Sequence, residues 1–309
     1  MTSNLSARKL GVHTGGRPSA AIELMPEGVL AAAIQGKNKN ESAMYAFAPL
    51  QAGALVPGID EPNLRAPEAV AHAIRSALDD VTPRNRYVTL VLPDTAVRVF
   101  VLDFDSLPPK AAEVVPVLRF RLRKMVPFDV EKAGVSYQVL TESKNECRVL
   151  IAVLPGPILE EYEAVVRAAG FEPGAVLPSS LAALAALETS EPALAACLSG
   201  TSLTTTITNG QDLLLYRTLD LPDEPAQRLA EVQRDIAVAA AYYEDKLATR
   251  ARHLYYGGVG GAEDFARWIR LSDGELTVVD LAQRPTTGAA TPLGKLSFAG
   301  IIGALAGAA

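Results

Sequence analysis

Cysteine, histidine and tryptophan are scarce in this chain of 309 residues, at two, three and one. Cys147 and Cys197 lie far apart. A disulfide framework needs more cysteines in a shorter chain, so both read as buried, reduced thiols. His13, His72 and His253 show no ligand spacing, which excludes a zinc site of the usual kind. No run approaches the ~20 apolar residues of a membrane helix. Residues 296–309 are small and apolar but too short to span, and read as a buried closing helix. The first nine residues are polar and unlike a signal peptide, so a soluble intracellular chain is expected. A basic excess is also missing, since the net charge is −6. That excludes nucleic acid as the main partner. What the chain does have is 49% hydrophobic residues and length enough for two cores.

The apolar pattern predicts alternating strands and helices. Residues 29–34 and 43–48 read as strands around a polar tip, and 51–64, rich in Gly and Pro, as loop. Residues 67–81 have helical spacing, with Pro67 suited to a first turn. Residues 87–92 form a continuous apolar run ended by Pro93, as in a strand buried on both faces. A strand over 96–104, a helix over 109–126 containing Pro116, strands over 135–140 and 148–154 and a helix over 157–169 follow. This order suggests an α+β subdomain inserted in a larger α/β unit. Residues 178–188 predict a helix, and 190–192 a hinge. Residues 195–208 read as one strand, turned at Asn209-Gly210 into a second over 212–219. A long helix over 226–247, a strand over 253–256 running into Gly257-Gly258-Val259-Gly260-Gly261, a helix over 262–271 and a strand over 276–281 complete the chain.

The segment Leu118-Arg-Phe-Arg-Leu-Arg-Lys-Met-Val-Pro-Phe128, followed by Val135-Ser-Tyr-Gln-Val-Leu140, resembles the PilM family of type IV pilus assembly proteins, members of the actin-like ATPase superfamily. There a helix runs into an Ile-Pro-Phe turn and a strand of the form Asp-Tyr-x-Val-Leu. The resemblance implies an α/β, two-domain actin-like (ribonuclease H-like) fold. The first domain would cover residues 10–190 with an inserted α+β subdomain at about 96–170, and a reduced second domain 191–309. It implies a cytoplasmic scaffold, peripheral to the inner membrane, that binds the N-terminal tail of a PilN-type membrane protein. Other pilus inner-membrane or motor proteins would be further partners, and membrane association would run through partners alone.

The same resemblance implies ATP as the cofactor to look for. The family's first phosphate turn, Ile-Gly-Ile-Asp-Ile-Gly-Ser-Ser-Ser-Val-Lys-Ala-Val-Glu-Leu, lies against Leu10-Gly-Val-His-Thr-Gly-Gly-Arg-Pro-Ser-Ala-Ala-Ile-Glu-Leu24. His13 then replaces the magnesium-organising aspartate, and Ala21 the lysine. The second turn, Asp-Ile-Gly in the family, is Leu198-Ser199-Gly200-Thr201. Mg²⁺ wants hard oxygen ligands, and phosphoryl transfer rests on metal and cation stabilisation. Hydrolysis is therefore expected to be absent. Backbone N–H groups at Gly15, Gly16, Gly200 and Thr201 could still cradle a phosphate. Gly257 and Gly258 are either the adenosine-contacting turn or a tight strand-to-helix turn. Tyr242, Tyr243 and Trp268 read as packing. Ser179 and Ser180 have no histidine or acid near them in sequence, so nothing suggests a hydrolase.

The tail site is expected between the first domain's core and the inserted subdomain. Arg119 and Arg123, four apart on one helical face, are either solvated or a dock for an acidic tail or anionic headgroups. An active actin-like ATPase, the cytoplasmic domain of a GspL-type type II secretion protein and an FtsA-type division protein are the alternatives. The last would need a C-terminal amphipathic helix.

Overall fold

A computed structural model describes residues 17–35, 42–143, 145–210, 212–270, 276–283 and 296–306. Its core is built twice. In the first half, β1 (Ala20–Met25), β2 (Gly28–Gln35) and β3 (Ser42–Pro49) form an antiparallel meander. Helix α1 (Pro67–Val81) then crosses to β4 (Tyr87–Leu92), which pairs parallel with β1. Its first turn holds Pro67, and it buries Val70, Ile74, Ala77 and Leu78 against the sheet, as the spacing predicts. Between β4 and the next core helix lies an insertion: β5 (Arg98–Phe104), α2 (Ala111–Leu122), β6 (Gly134–Glu142) and β7 (Cys147–Leu154). These strands form their own sheet in the order β5-β7-β6, and β5 pairs with β7 rather than β4. Helix α2 covers one face with Val114, Leu118 and Leu122, and runs through Pro116 without a break. Helix α3 (Gly156–Ala168) returns the chain to β8 (Glu172–Pro178), parallel to β4, giving the sheet order β3-β2-β1-β4-β8.

The second half repeats the plan. After α4 (Ser179–Ala183) come β9 (Ala193–Ser199), β10 (Ser202–Asn209) and β11 (Asp212–Asp220), again antiparallel. Helix α5 (Pro225–Leu247) leads to β12 (His253–Gly258), parallel to β9. Helix α6 (Gly261–Ile269) leads to β13 (Thr277–Asp280), and the order is β11-β10-β9-β12-β13. Strand for strand this matches the first sheet, although no sequence repeat announces it. Only four residues join β11 to α5, so no subdomain intervenes there among the described residues.

Four elements differ from the sequence expectation, the first being β1, since no strand was expected over 20–25. The stretch read as one strand over 195–208 is two, because Gly200 takes a positive φ of 56° and reverses the chain. The helix expected over 178–188 is one short turn of α4 followed by a 3₁₀ turn at Leu184–Ala186. Strand β8 was not expected at all; Pro173 and Pro178 are tolerated because it is an edge strand.

Helix α7 (Ala299–Ala306) is the buried closing helix, but it closes on the first half. Ile301, Ala304 and Leu305 pack on Ala21, Leu30, Ala32 and Val91 of the first sheet. It also crosses α4 closely, and Ala299 reaches Cys197 and Leu281 of the second half. The α4–α7 pair is thus the seam between the two cores. No helix among the described residues is long and apolar enough to cross a membrane.

Candidate functional site

Because the halves share one topology, their first hairpins face each other. The β1–β2 turn is Pro26-Glu27 and the β9–β10 turn is Gly200-Thr201. Pro26, Glu27 and Gly200 line one cleft above the α4–α7 seam. Side chains alternate along β1. Ala21 packs under α7, so Glu23 rises on the same face, under that helix's first turn. A Cβ at Gly300 would collide with the Glu23 carboxylate.

Glu23 and Asp94 are buried here, each held by one of two consecutive serines. Ser179 Oγ donates to Glu23 Oε1 at 2.5 Å. Ser180 donates to Asp94 through its hydroxyl at 2.5 Å and its backbone N–H at 3.0 Å. Burial lifts the Glu23 carboxyl to about 7; its Ser179 hydrogen bond opposes that rise, and Asp94 adds to it by repulsion. The Ile301 backbone N–H at the start of α7 also favours the charged form, yet Oε2 completes no hydrogen bond. Burial lifts Asp94 to about 6 against its two Ser180 bonds. Cys197 is pushed up to about 12, again by burial first, so it is a protonated, inert thiol.

The cleft's chemistry is one-sided. Glu23, Glu27 and Asp94 line it, and no lysine, arginine or histidine does among the described residues. Its space for water-sized spheres is ≈ 50 Å³, against the ~300 Å³ or more of ordinary small-molecule sites. It can hold a few waters, and a polyanion would meet acidic side chains and no cationic one among the described residues.

Of the residues singled out in sequence, Gly200 and Gly257 come together in this cleft. Thr201 is engaged through its carbonyl, which accepts from Leu221 N at 2.7 Å. Gly257 faces Cys197 and Ala299, where its missing Cβ lets β9 and α7 approach. Gly258 packs on the Tyr256 ring and does not line the cleft. His13, Gly15 and Gly16 lie outside the described residues. The sequence reading missed Glu23 and Asp94 as a pair, and Ser179 and Ser180 as their partners. The one signal available was a lone acid in the middle of Ala20-Ala-Ile-Glu-Leu24.

The titrations have a definite sign. From its ordinary 4.5 up to about 7, the folded chain keeps a proton on Glu23 that the unfolded chain has released. Stability from this group is complete below that window and is lost as pH rises through it. Asp94 acts likewise from 3.8 to about 6. Glu23→Gln, neutral throughout, should melt higher than the parent at pH 8 and show a shallower loss of Tm between pH 5 and 8. Parallel Tm–pH curves would contradict the assignment.

A second concavity of ≈ 320 Å³ lies between the first core and the inserted sheet. Its walls are the loop 59–62, the turn 128–132 after α2, and the α3 entry 155–158 with Glu161. Ile59, Pro62, Phe128, Pro157 and Ile158 supply apolar surface. Asp60, Glu61, Asp129 and Glu161 oppose a single base, Lys132. The walls are pinned. Buried Asn63 bonds to both the N–H and the C=O of Gly58 and accepts from Tyr162 Oη at 2.9 Å. Glu161 accepts from the Asn63 N–H at 2.6 Å.

Arg119 and Arg123, either solvated or a dock on the sequence reading, are bound within the inserted subdomain. Arg119 donates to the Ala133 carbonyl at 3.1 Å, and Arg123 to Glu131 at 2.6 Å. They brace the turn that forms one groove wall, and the groove itself is acidic.

No family model matches the sequence, and no curated relative matches it. Among solved structures, the chain is similar to a PilM–PilN type IV pilus biogenesis complex, with a TM-score of 0.69 and 19% identity over 94% of this chain and 96% of that one. It is more distantly similar to the cytoplasmic domain of EpsL, an inner membrane component of the type II secretion system of Vibrio cholerae, at 0.48 and 14% over 77% and 80%. A Bacteroides thetaiotaomicron protein with an actin-like ATPase fold and unknown function matches at 0.47 and 11%, over 89% and 96%. Two sheets of one topology, an insertion in the first and a likeness spanning nearly both whole chains give this protein the two-domain actin-like fold of the PilM type.

Proposed function

We propose that this protein is a scaffold of type IV pilus assembly. It binds the N-terminal tail of a PilN-type partner at the cytoplasmic face of the inner membrane, without significant ATP hydrolysis. The observation that carries this reading is the pinned, apolar, acid-rimmed groove between the first core and the inserted sheet. The likeness to a PilM–PilN complex supports the partner type. The groove's charge supports the tail's chemistry: apolar anchors with lysines or arginines. Cytoplasmic segments beside membrane helices carry such an excess, so an acidic rim suits a tail of this origin.

The cleft supports the absence of turnover. The β1–β2 hairpin supports reading the family's Ile-Asp-Ile-Gly-Ser-Ser-Ser pattern against Ile22-Glu23-Leu24-Met25-Pro26-Glu27-Gly28, with its lysine against buried Leu30. Both edges of β1 are filled, by β2 and β4. In this register one carboxylate survives as Glu23, but Met25 replaces the glycine and Pro26 offers no N–H. Glu27 adds a charge of the wrong sign for phosphate. Transition-state charge would find no cation.

Calorimetry with a synthetic tail peptide and a phosphate-release assay test the two halves separately. The peptide should bind, and phosphate release with Mg·ATP should stay far below roughly one per second, the low end of ordinary enzyme turnover. Release at that rate or faster would sink the scaffold-only reading even if the peptide binds.

A further inference from the structure

Helix α2 turns an unusual face to solvent. Val117, Phe120 and Arg121 fall at i, i+3 and i+4 of α2, on an exposed flank beside the buried Val114, Leu118 and Leu122, and Lys124 follows just past the helix end. Phe120 is 74% exposed, Val117 37%, and Met125, just past the helix, 38%. An exposed phenylalanine amid further apolar side chains is informative where a scattered leucine is not. Nothing in the fold explains it, since α2 already covers its sheet with Val114, Leu118 and Leu122. The cations are equally unabsorbed. Arg119 and Arg123 brace the 131–133 turn, whereas Arg121 and Lys124 are exposed with no ion pair among the described residues. The one acid on this flank, Glu113, lies a turn before Val117 and is paired with Lys110.

We infer that this face docks directly on an anionic bilayer, with Phe120 entering the headgroup region and Arg121 and Lys124 meeting lipid phosphates. Charge complementarity selects this occupant. The chain as a whole carries −6, so an anionic surface repels most of the molecule and orients this cationic, aromatic spot toward itself. A protruding aromatic flanked by cations is the chemistry of interfacial anchoring. Three exposed apolar side chains, Val117, Phe120 and Met125, are few beside the ~20–30 residues a side of a stable protein interface. Position agrees. Phe128 of the groove follows Met125 by three residues, so the two lie within about 11 Å. On the tail-groove reading, on which this point rests, the bound tail leads straight into the membrane, and α2 faces the surface the tail emerges from. Membrane association would then not run through partners alone. Groove and helix face would act together, each raising the other's effective concentration.

The test is co-sedimentation of the full chain at low salt with vesicles of phosphatidylcholine alone or with one third phosphatidylglycerol. The expected result is binding to the anionic vesicles only, reversed by high salt. Arg121→Gln and Lys124→Gln should each cost about fivefold in apparent affinity, the ~1 kcal/mol of one cation near such a surface. Phe120→Ser should weaken binding at unchanged salt dependence. All three are exposed positions, and unchanged melting would confirm intact folding. Tail-peptide affinity in solution should not change. Equal binding to both vesicle types, no binding at low salt, or variants that sediment like the parent would overturn the inference. So would loss of tail-peptide binding in Phe120→Ser without any vesicle binding, which would give the face to a protein. Vesicle binding that survives while the tail peptide fails to bind would leave this face standing and remove the groove reading.

Discussion

Phe128→Ala should weaken tail-peptide binding by about 30-fold, roughly 2 kcal/mol, the scale of an aromatic hot spot in a desolvated pocket. Phe128 is half-buried, lines the groove and packs against the inserted subdomain's core, so its ring is held rather than free. Ile59→Ala, on the opposite wall, should cost about 1 kcal/mol, or fivefold. The two sit on separate elements, and their effects should add within a few tenths of a kcal/mol. Ile59 also guards against misreading a folding defect in Phe128→Ala, since it belongs to a surface loop. Charge should follow its own rule. Asp60→Lys should lower affinity for a cationic tail and flatten its salt dependence, because an acid at the rim is replaced by a repelling base. An affinity gain in Asp60→Lys would mean that the tail is acidic after all.

The largest effect on stability is expected from Gly303→Val. Helix α7 crosses α4 so closely that a Cβ at Gly303 would overlap the Ala182 carbonyl oxygen, and backbone cannot step aside as a side chain can. Overpacking of this kind costs typically 1–3 kcal/mol, and here it acts on a helix that packs against both cores. A Tm loss of several degrees is expected, with Gly303→Ala intermediate. Lifting α7 also uncovers Glu23, so the mutant's stability should lose part of its pH dependence. A Gly303→Val protein that melts with the parent would show that α7 is not seated against α4 as described.

The elements legible in sequence were those whose signals are local. Helix α1 was bounded correctly because Pro67 marks its start and its apolar residues keep one period. Strand β4 was legible as a continuous apolar run because it lies between β1 and β8. Long α5 needed only its periodicity. What failed depended on distant pairing. The Gly200 reversal hides in a run of Thr and Leu that favours strand on both sides, and β8 is masked by Pro173, Gly174 and Pro178. The register of the first hairpin could not be read from glycines, because the sheet decides it: β1 lies between β2 and β4. The acids at the site were equally out of reach. Glu23, Asp94 and the two serines come from three segments, and the groove's acidic rim from three others. A basic run such as 119–124 looks like one feature in sequence; in the fold it divides into two braces, Arg119 and Arg123, and two cations, Arg121 and Lys124, without an ion pair among the described residues.

Hydrogen–deuterium exchange on the full chain, with and without the tail peptide, tests the scaffold reading most directly. Slowed exchange is expected at residues 58–64, 128–133 and 155–162, the walls of the groove, with the cleft turns at 25–28 and 199–201 unchanged. Protection confined to the second sheet, between residues 193 and 280, or no protection at saturating peptide, would contradict it.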